Sequence, residues 1–365
     1  MVASTRKIGD AEFSTIGYGA MGLSTFYGPT LPDEERFKAG HLHICAPGEP
    51  RPNIDNPFST HYLQVLDSVL ESGYTHIDTA DVYGDSEELI GKWLQKSGKR
   101  NGIFLATKFG MCLGGPLPDG RHVCGDPEYV ASSIDRSLKL LQTDHVDLWY
   151  LHRADQTVPI ERTVAAMAEQ VKAGKVKHLG LSEVSAATLR RAHAVHAIAA
   201  LQVEYSPFTL DIEDDKHAVL KTARELGIKV VAYSPVGRGL LTGRITSADQ
   251  LDPTDLRRYL PRFSTENFPK VLEIVDVIKG VAEKHNATPG QVSIAWLLAQ
   301  GDDILPIPGS TKPANIKENI GAVNVTLTPE EVQQIRQAAD SADQTIGLRY
   351  PEAYMALVMA DTPPL

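Results

Sequence analysis

The sequence predicts an α/β protein, a (β/α)8 barrel folded as one domain. Three observations carry that expectation. Eight short apolar, β-branched runs recur along the chain, seven of the intervals between them have helical periodicity, and several runs end in a polar or ionisable residue. By length, 365 residues would suit two or three domains, but a barrel uses this much chain as one. An open, doubly wound sheet is the alternative that the same alternation allows.

The runs, in order, are TIGYGA (15–20), YTHIDT (74–79), IFLATK (103–108), HVDLWYLH (145–152), KHLGLS (177–182), ALQVEY (200–205), KVVAYS (229–234) and ILPIP (304–308). Helical periodicity is clear in 126–141, 159–174 and 214–227, and Gly174 and Gly227 stand where a helix C-terminus favours glycine. GYGAMG (17–22) matches G-x-G-x-x-G, but the proline-containing LSTFYGPTLP follows where a dinucleotide fingerprint needs a helix. A Rossmann site is therefore excluded. The glycines are expected to let the first strand end approach a flat ligand.

One segment breaks the alternation. PDEERFK (32–38) begins an acidic amphipathic helix and VLDSVLESG (65–73) ends one. Residues 39–64 between them contain Pro47, Pro50, Pro52 and Pro57 and have no period. Without them, Phe37, Val65, Leu66, Val69 and Leu70 would share one helix face. The segment reads as an insertion in the first helix, either a surface excursion or an artefact such as a retained intron. HLHIC (41–45) inside it resembles a metal-ligand cluster, but three potential ligands in a proline-rich stretch are weak evidence of zinc, and no metal site is expected.

Composition narrows the function. Thirty-six Lys and Arg against 46 Asp and Glu give a net charge of −10, which disfavours nucleic acid or a membrane surface as partner. Three cysteines (Cys45, Cys112, Cys124) suit a reducing compartment and free thiols. No apolar leader opens the sequence and no run is long enough to span a bilayer, so a cytoplasmic protein is expected.

In a barrel, active-site groups gather at the C-terminal ends of the strands. Asp78, Lys108 and His152 end the second, third and fourth runs, and Tyr83 follows Asp78 by five residues. A phenol is a weak acid at neutral pH, and an ammonium beside it favours the phenolate. An aspartate holds the lysine charged, and a neutral imidazole can orient a substrate oxygen. The set suits proton delivery to a carbonyl oxygen while a hydride arrives at its carbon. On spacing alone, an Asp78–Lys108 ion pair that stabilises the barrel mouth, with Tyr83 merely packing, fits equally well. Asp81 reads as solvated loop, and Asp85 or Ser86 as the cap of the next helix.

HIDTADVYGDSEELIGKWL, ATKFG, VDLWYLHR, GLSEVS, LQVEYSPF, AYSPVGRGLLTG and IPGSTKPANIKENIGA together resemble the aldo-keto reductases, in particular the microbial and plant branch similar to potassium-channel β-subunits. The likeness runs from about residue 6 to 340, interrupted at 39–64. It implies a barrel that binds NADP(H) without a Rossmann domain, with Asp78, Tyr83, Lys108 and His152 as the catalytic tetrad and Tyr83 as the acid. It implies that Gly19 and Met21 border the cofactor, that Ser182 and Gln202 hold the nicotinamide carboxamide, and that Tyr233 stacks on the ring. Ser234, Gly237, Arg238 and Gly239 would cover the pyrophosphate. Gly309, Ser310, Thr311 and Lys312 would surround the adenosine 2′-phosphate, with Asn315 a neighbouring cofactor position and Glu318 and Asn319 on adenine. Two departures stand out. Glu183 replaces a common asparagine, which puts one carboxamide contact in doubt, and Asn315 replaces a common arginine, which leaves NADP selectivity to Lys312.

The implied activity is NADPH-dependent reduction of aldehydes, and of some ketones, to alcohols, with a small carbonyl compound as substrate. The alternatives are a redox-sensing subunit like the channel β-subunits, or a protein impaired by residues 39–64. Loop 110–126, rich in Gly and Pro, is expected to border the substrate as a flap. The tail 346–365 is expected either to close over the pocket or simply to pack.

Overall fold

The computed structural model describes residues 4–24, 57–112, 117, 119–253, 255–343 and 347–365. Within them, a parallel ring forms from β3 (Tyr18–Gly19), β4 (His76–Asp78), β5 (Phe104–Phe109), β6 (Val146–Leu151), β7 (Val176–Ser182), β8 (Ile198–Glu204), β9 (Lys229–Tyr233) and β10 (Ile304–Pro306), numbered after the hairpin β1 (Thr5–Ile8) and β2 (Ala11–Ser14). Each ring strand pairs with its neighbour in sequence. All eight expected strands form, so the (β/α)8 class holds and the open sheet is set aside.

The two edges of the ring meet through backbone bonds. Gly17 N–H donates to Pro306 O at 2.9 Å and Gly19 N–H to Pro308 O at 3.2 Å. A Cβ on Gly309 would stand 2.4 Å from the Gly19 oxygen, and one on Gly19 would stand 2.7 Å from the Ile307 oxygen. The glycine at position 19, expected to admit a flat ligand, is thus required first by the chain's own seam.

Strand side chains alternate between two cores. Ala106, Leu148, Tyr150, Ala200, Val231 and Leu305 point into the ring, where Ile8 and Phe13 of the hairpin pack against them. Leu105, Trp149, Leu181, Leu201 and Val230 point outward to the helices. The hairpin escapes the sequence reading because each strand has only four residues and is partly exposed. Its one local signal is the Gly9-Asp10 turn, with Gly9 at φ +58°.

Helices cover the ring where periodicity places them, at Ser86–Ser97, Pro127–Leu141 and Ile160–Lys172. Gly174 and Gly227 take φ of +75° and +69°, as expected of residues that end helices. The predicted helix 214–227 shortens to Val219–Glu225, because Ala218 at φ +48° interrupts it. Between β9 and β10 stand Phe268–Lys284 and Pro289–Leu298. The second opens on a capping box, in which Thr288 Oγ1 accepts from Gln291 N–H at 3.2 Å and Gln291 Oε1 from Thr288 N–H at 3.0 Å.

A helix spans Pro57–Glu71, so residues 57–64 of the expected insertion continue directly into 65–71. Residues 32–56, including HLHIC and Cys45, lie outside the described residues. Among the described residues, no group of three metal-type ligands occurs and no helix is long and apolar enough to cross a membrane. Cys112 and Cys124 are free thiols.

Candidate active site

Parallel register brings the strand ends together. Asp78 pairs with Ala106, and Lys108 pairs with Tyr150 two residues before His152. Lys108 Nζ donates to Asp78 Oδ1 at 2.5 Å, to the Thr79 oxygen at 2.8 Å and to the Tyr83 hydroxyl at 3.5 Å. The lysine is fully buried and the aspartate nearly so. Burial pulls the ammonium's pKa down, but Asp78 and Tyr83 outweigh it and leave the pKa raised. A charged, fixed ammonium therefore faces the phenol.

His152 packs edge-on to Tyr83, with ring centroids 5.7 Å apart. Burial, then Lys108 and Arg153, hold its pKa well below the usual histidine range, so the imidazole is neutral. Its Nδ1 is buried with no hydrogen-bond partner. Gln202 donates Nε2–H to the second Asp78 oxygen at 2.7 Å, a positioning bond that strand spacing does not reveal.

These groups open into a cavity of about 630 Å³. Asp78, Tyr83 and His152 line it, and Lys108 sits behind them. Of the expected cofactor residues, Gly19, Met21, Ser182, Gln202, Tyr233 and Ser234 line it. So do Arg238 and Gly239, together with Gly309, Ser310, Thr311, Lys312, Asn315, Glu318 and Asn319. Gly237 is not among the lining residues and turns towards Leu241 and Phe208.

Other side chains have partners that sequence could not foresee. Glu183 is fully buried at φ +51°. Its Oε1 accepts from the Tyr233 hydroxyl at 2.9 Å and from Glu204 N–H at 3.0 Å, and Arg349 closes on both its oxygens at 3.2 Å. Burial raises its pKa, but Arg349 and Arg153 prevail and keep it low. Glu183, where the resemblance led to an expected asparagine, thus anchors the C-terminal segment. Arg238, expected over a pyrophosphate, donates to Glu204 at 3.0 Å and to the Tyr350 hydroxyl at 2.6 Å. Arg244, absent from the expected set, donates to Asn315 Oδ1 at 2.8 Å and to Glu318 Oε2 at 2.5 Å. It brings a guanidinium to the loop where Asn315 lacks one.

The C-terminal segment covers the mouth. Tyr350, Tyr354, Leu357 and Val358 line the cavity, and Ala360 bridges to Val184. Arg191 holds its end through the Thr362 oxygen at 2.9 Å and the Pro363 oxygen at 2.6 Å. Of the two expectations for the tail, closing over the pocket or simply packing, the lining residues are those of the first. In loop 110–126, Met111 bridges Val123 and also lines the cavity. Residues 113–116 and 118 of that loop lie outside the described set.

Asp81 departs from expectation. It is buried, not solvated, and Arg136 reaches its Oδ2 at 3.0 Å. Asp85 occupies the helix N-cap position without a side-chain cap bond, and Ser86 Oγ pairs with Thr79 Oγ1 at 2.8 Å.

The residues present fit a nicotinamide adenine dinucleotide cofactor. The Tyr233 side chain forms cavity wall, and Ser182 and Gln202 lie at adjoining strand ends in register. The Lys312 side chain has no acidic partner among the described residues, and helix Pro313–Ile320 starts beside it.

The Aldo/keto reductase family model matches residues 56–340. The chain is 51% identical over 370 residues to aldo-keto reductase str7 of Strobilurus tenacellus, covering 100% of this chain and 99% of that one. It is 43% identical over 367 residues to the Schizosaccharomyces pombe protein named aldo-keto reductase yakc, NADP(+), again covering 100% and 99%. Among solved structures, the glycerol dehydrogenase AKR11B4 from Gluconobacter oxydans superposes with a TM-score of 0.77 at 25% identity, covering 96% of this chain and 99% of that one.

Proposed function

This chain belongs to the aldo/keto reductase family, and on that premise we propose that it reduces aldehydes, and some ketones, to alcohols with NADPH. The observation that carries the reading is the Tyr83 hydroxyl held 3.5 Å from a buried ammonium at the cavity wall.

When bound, a reduced nicotinamide would supply the hydride. Tyr83 gives its proton to the carbonyl oxygen as negative charge develops there. Lys108, locked by Asp78 and the Thr79 oxygen, faces the phenolate left behind and lowers its cost. Gln202 fixes the other side of Asp78, which keeps the ammonium aimed. With the Nδ1 of His152 buried and unbonded, its other ring nitrogen is the one left to orient the oxygen. General acid catalysis of this kind contributes about 10²- to 10⁴-fold.

For the cofactor, Tyr233 offers a ring face, and Ser182 and Gln202 offer polar groups for the carboxamide. Lys312 places positive charge near Asn315, and Arg244, itself paired with Glu318, adds guanidinium donors there, which favours the 2′-phosphate of NADP over NAD. The name of the fission-yeast relative supports that choice. The test is NADPH consumption over an aldehyde panel. A protein that binds NADPH yet reduces no carbonyl compound would sink the reading.

A further inference from the structure

Five cationic side chains line the cavity: Arg153, Arg238, Arg244, Arg257 and Lys312. Three are already paired with acids. Arg238 has Glu204 at 3.0 Å, Arg244 has Glu318 at 2.5 Å, and Arg257 has Asp255 at 2.6 Å. Among the described residues, Lys312 and Arg153 have no carboxylate within ion-pair distance. Lys312 follows β10 and suits the 2′-phosphate. Arg153 follows β6, four strands away around the ring, beside the catalytic His152.

Arg153 is half used. Its Nη1 donates to the His152 oxygen at 2.8 Å and to Ser182 Oγ at 3.3 Å. Its Nε and Nη2 have no hydrogen-bond acceptor among the described residues, and the residue is part of the cavity lining. A guanidinium carries its donors in a rigid fork that matches an acid group.

The surrounding charges point the same way. Glu183, Glu204 and Asp211 face Arg238, Arg262 and Arg349 in one linked network, three acids against three bases. Arg153 lies beside this balanced group as one further positive charge. The C-terminal segment that also lines the cavity, with Tyr350, Tyr354, Leu357 and Val358, is aromatic and apolar. A ligand that satisfied both would join an apolar body to an acid group.

We propose that Arg153 is a substrate-binding residue and that the favoured carbonyl substrates carry an anionic group, a carboxylate or its equivalent, on an apolar body. This rests on the reductase reading of the same site. A charge-assisted bond of this kind corresponds to about a tenfold preference or more.

The test compares 4-carboxybenzaldehyde with the neutral 4-methylbenzaldehyde at saturating NADPH, in the wild type, Arg153→Met and Arg153→Lys. The wild type favours the acid in kcat/KM. Arg153→Met lowers the acid-to-neutral ratio about tenfold, mainly through KM for the acid, and Arg153→Lys restores part of it. Because the ratio is read, a loss of activity counts for the proposal only where it falls more heavily on the acid than on the neutral aldehyde. Equal losses for both aldehydes, or a loss traced to weaker NADPH binding, overturn the proposal and make Arg153 a positioning residue. A second measurement, calorimetric binding of 4-(hydroxymethyl)benzoate to the NADP⁺-loaded protein, separates the two readings. Arg153-dependent binding without any turnover sinks the reductase reading and upholds the anion site. Turnover with no acid preference does the reverse.

Discussion

Arg349 and Glu183 form a bidentate ion pair at 3.2 Å across 166 residues of chain, and both side chains are buried. Arg349 also reaches Asp211 at 2.8 Å. The pair fastens the segment carrying Tyr350 and Tyr354 to the strand end that carries Ser182. The C-terminal and strand-end sides of the cavity are thus one electrostatic unit.

Removing one partner leaves a buried charge uncompensated, which costs about 3–5 kcal/mol. Arg349→Ala should therefore lower the urea midpoint clearly and expose the C-terminal segment to limited proteolysis. KM for aldehydes should rise more than the dissociation constant for NADPH. A tail as protease-resistant as in the wild type would show that the pair is not the anchor.

Tyr83→Phe removes the proposed proton donor but leaves the ring. Turnover should fall by about 10²- to 10⁴-fold while NADPH affinity stays within about twofold. Stopped-flow reduction and fluorescence titration measure the two separately. Comparable turnover by both proteins would reassign the acid.

Lys312→Ala tests the 2′-phosphate site. NADPH binding should weaken about tenfold or more, and NADH binding should change little, since only NADPH carries the group that the ammonium would meet. Arg244→Ala should act in the same direction. Equal weakening of both nucleotides would move the phosphate elsewhere.

Asp81 sets a pH dependence of stability. Burial, then the nearby Glu87, push its pKa up to about 8, against Arg136. Below about pH 4 the folded and unfolded states both hold the proton, and stability is full. As pH rises towards 8 the unfolded chain releases the proton while the folded protein resists, so stability falls. Asp81→Asn should flatten that decline between pH 5 and 9 in urea unfolding. Parallel curves for the two proteins would assign the decline to other groups.

Much of this protein is legible locally. Alternating apolar runs and helical periods mark the eight barrel strands and the helices between them, because burial selects residues at the repeat of each element. Strand ends mark Asp78, Lys108 and His152, because a parallel ring places every strand end at one mouth. The hairpin Thr5–Ser14 is illegible, because its few residues acquire an apolar role only by packing on Phe104 and Leu148 inside the ring.

What the sequence determined by itself is the barrel and the chemical types at its mouth, since both follow from short-range repeats. The tertiary structure alone decided who faces whom. It buried Asp81 against Arg136, gave Glu183 to Arg349, brought Arg244 to Asn315 and, among the described residues, left Arg153 beside His152 with no carboxylate at ion-pair distance. Those outcomes depend on desolvation and on pairs far apart in the chain. A charged residue reads the same in sequence whether it ends in water, in an ion pair or in a cavity wall.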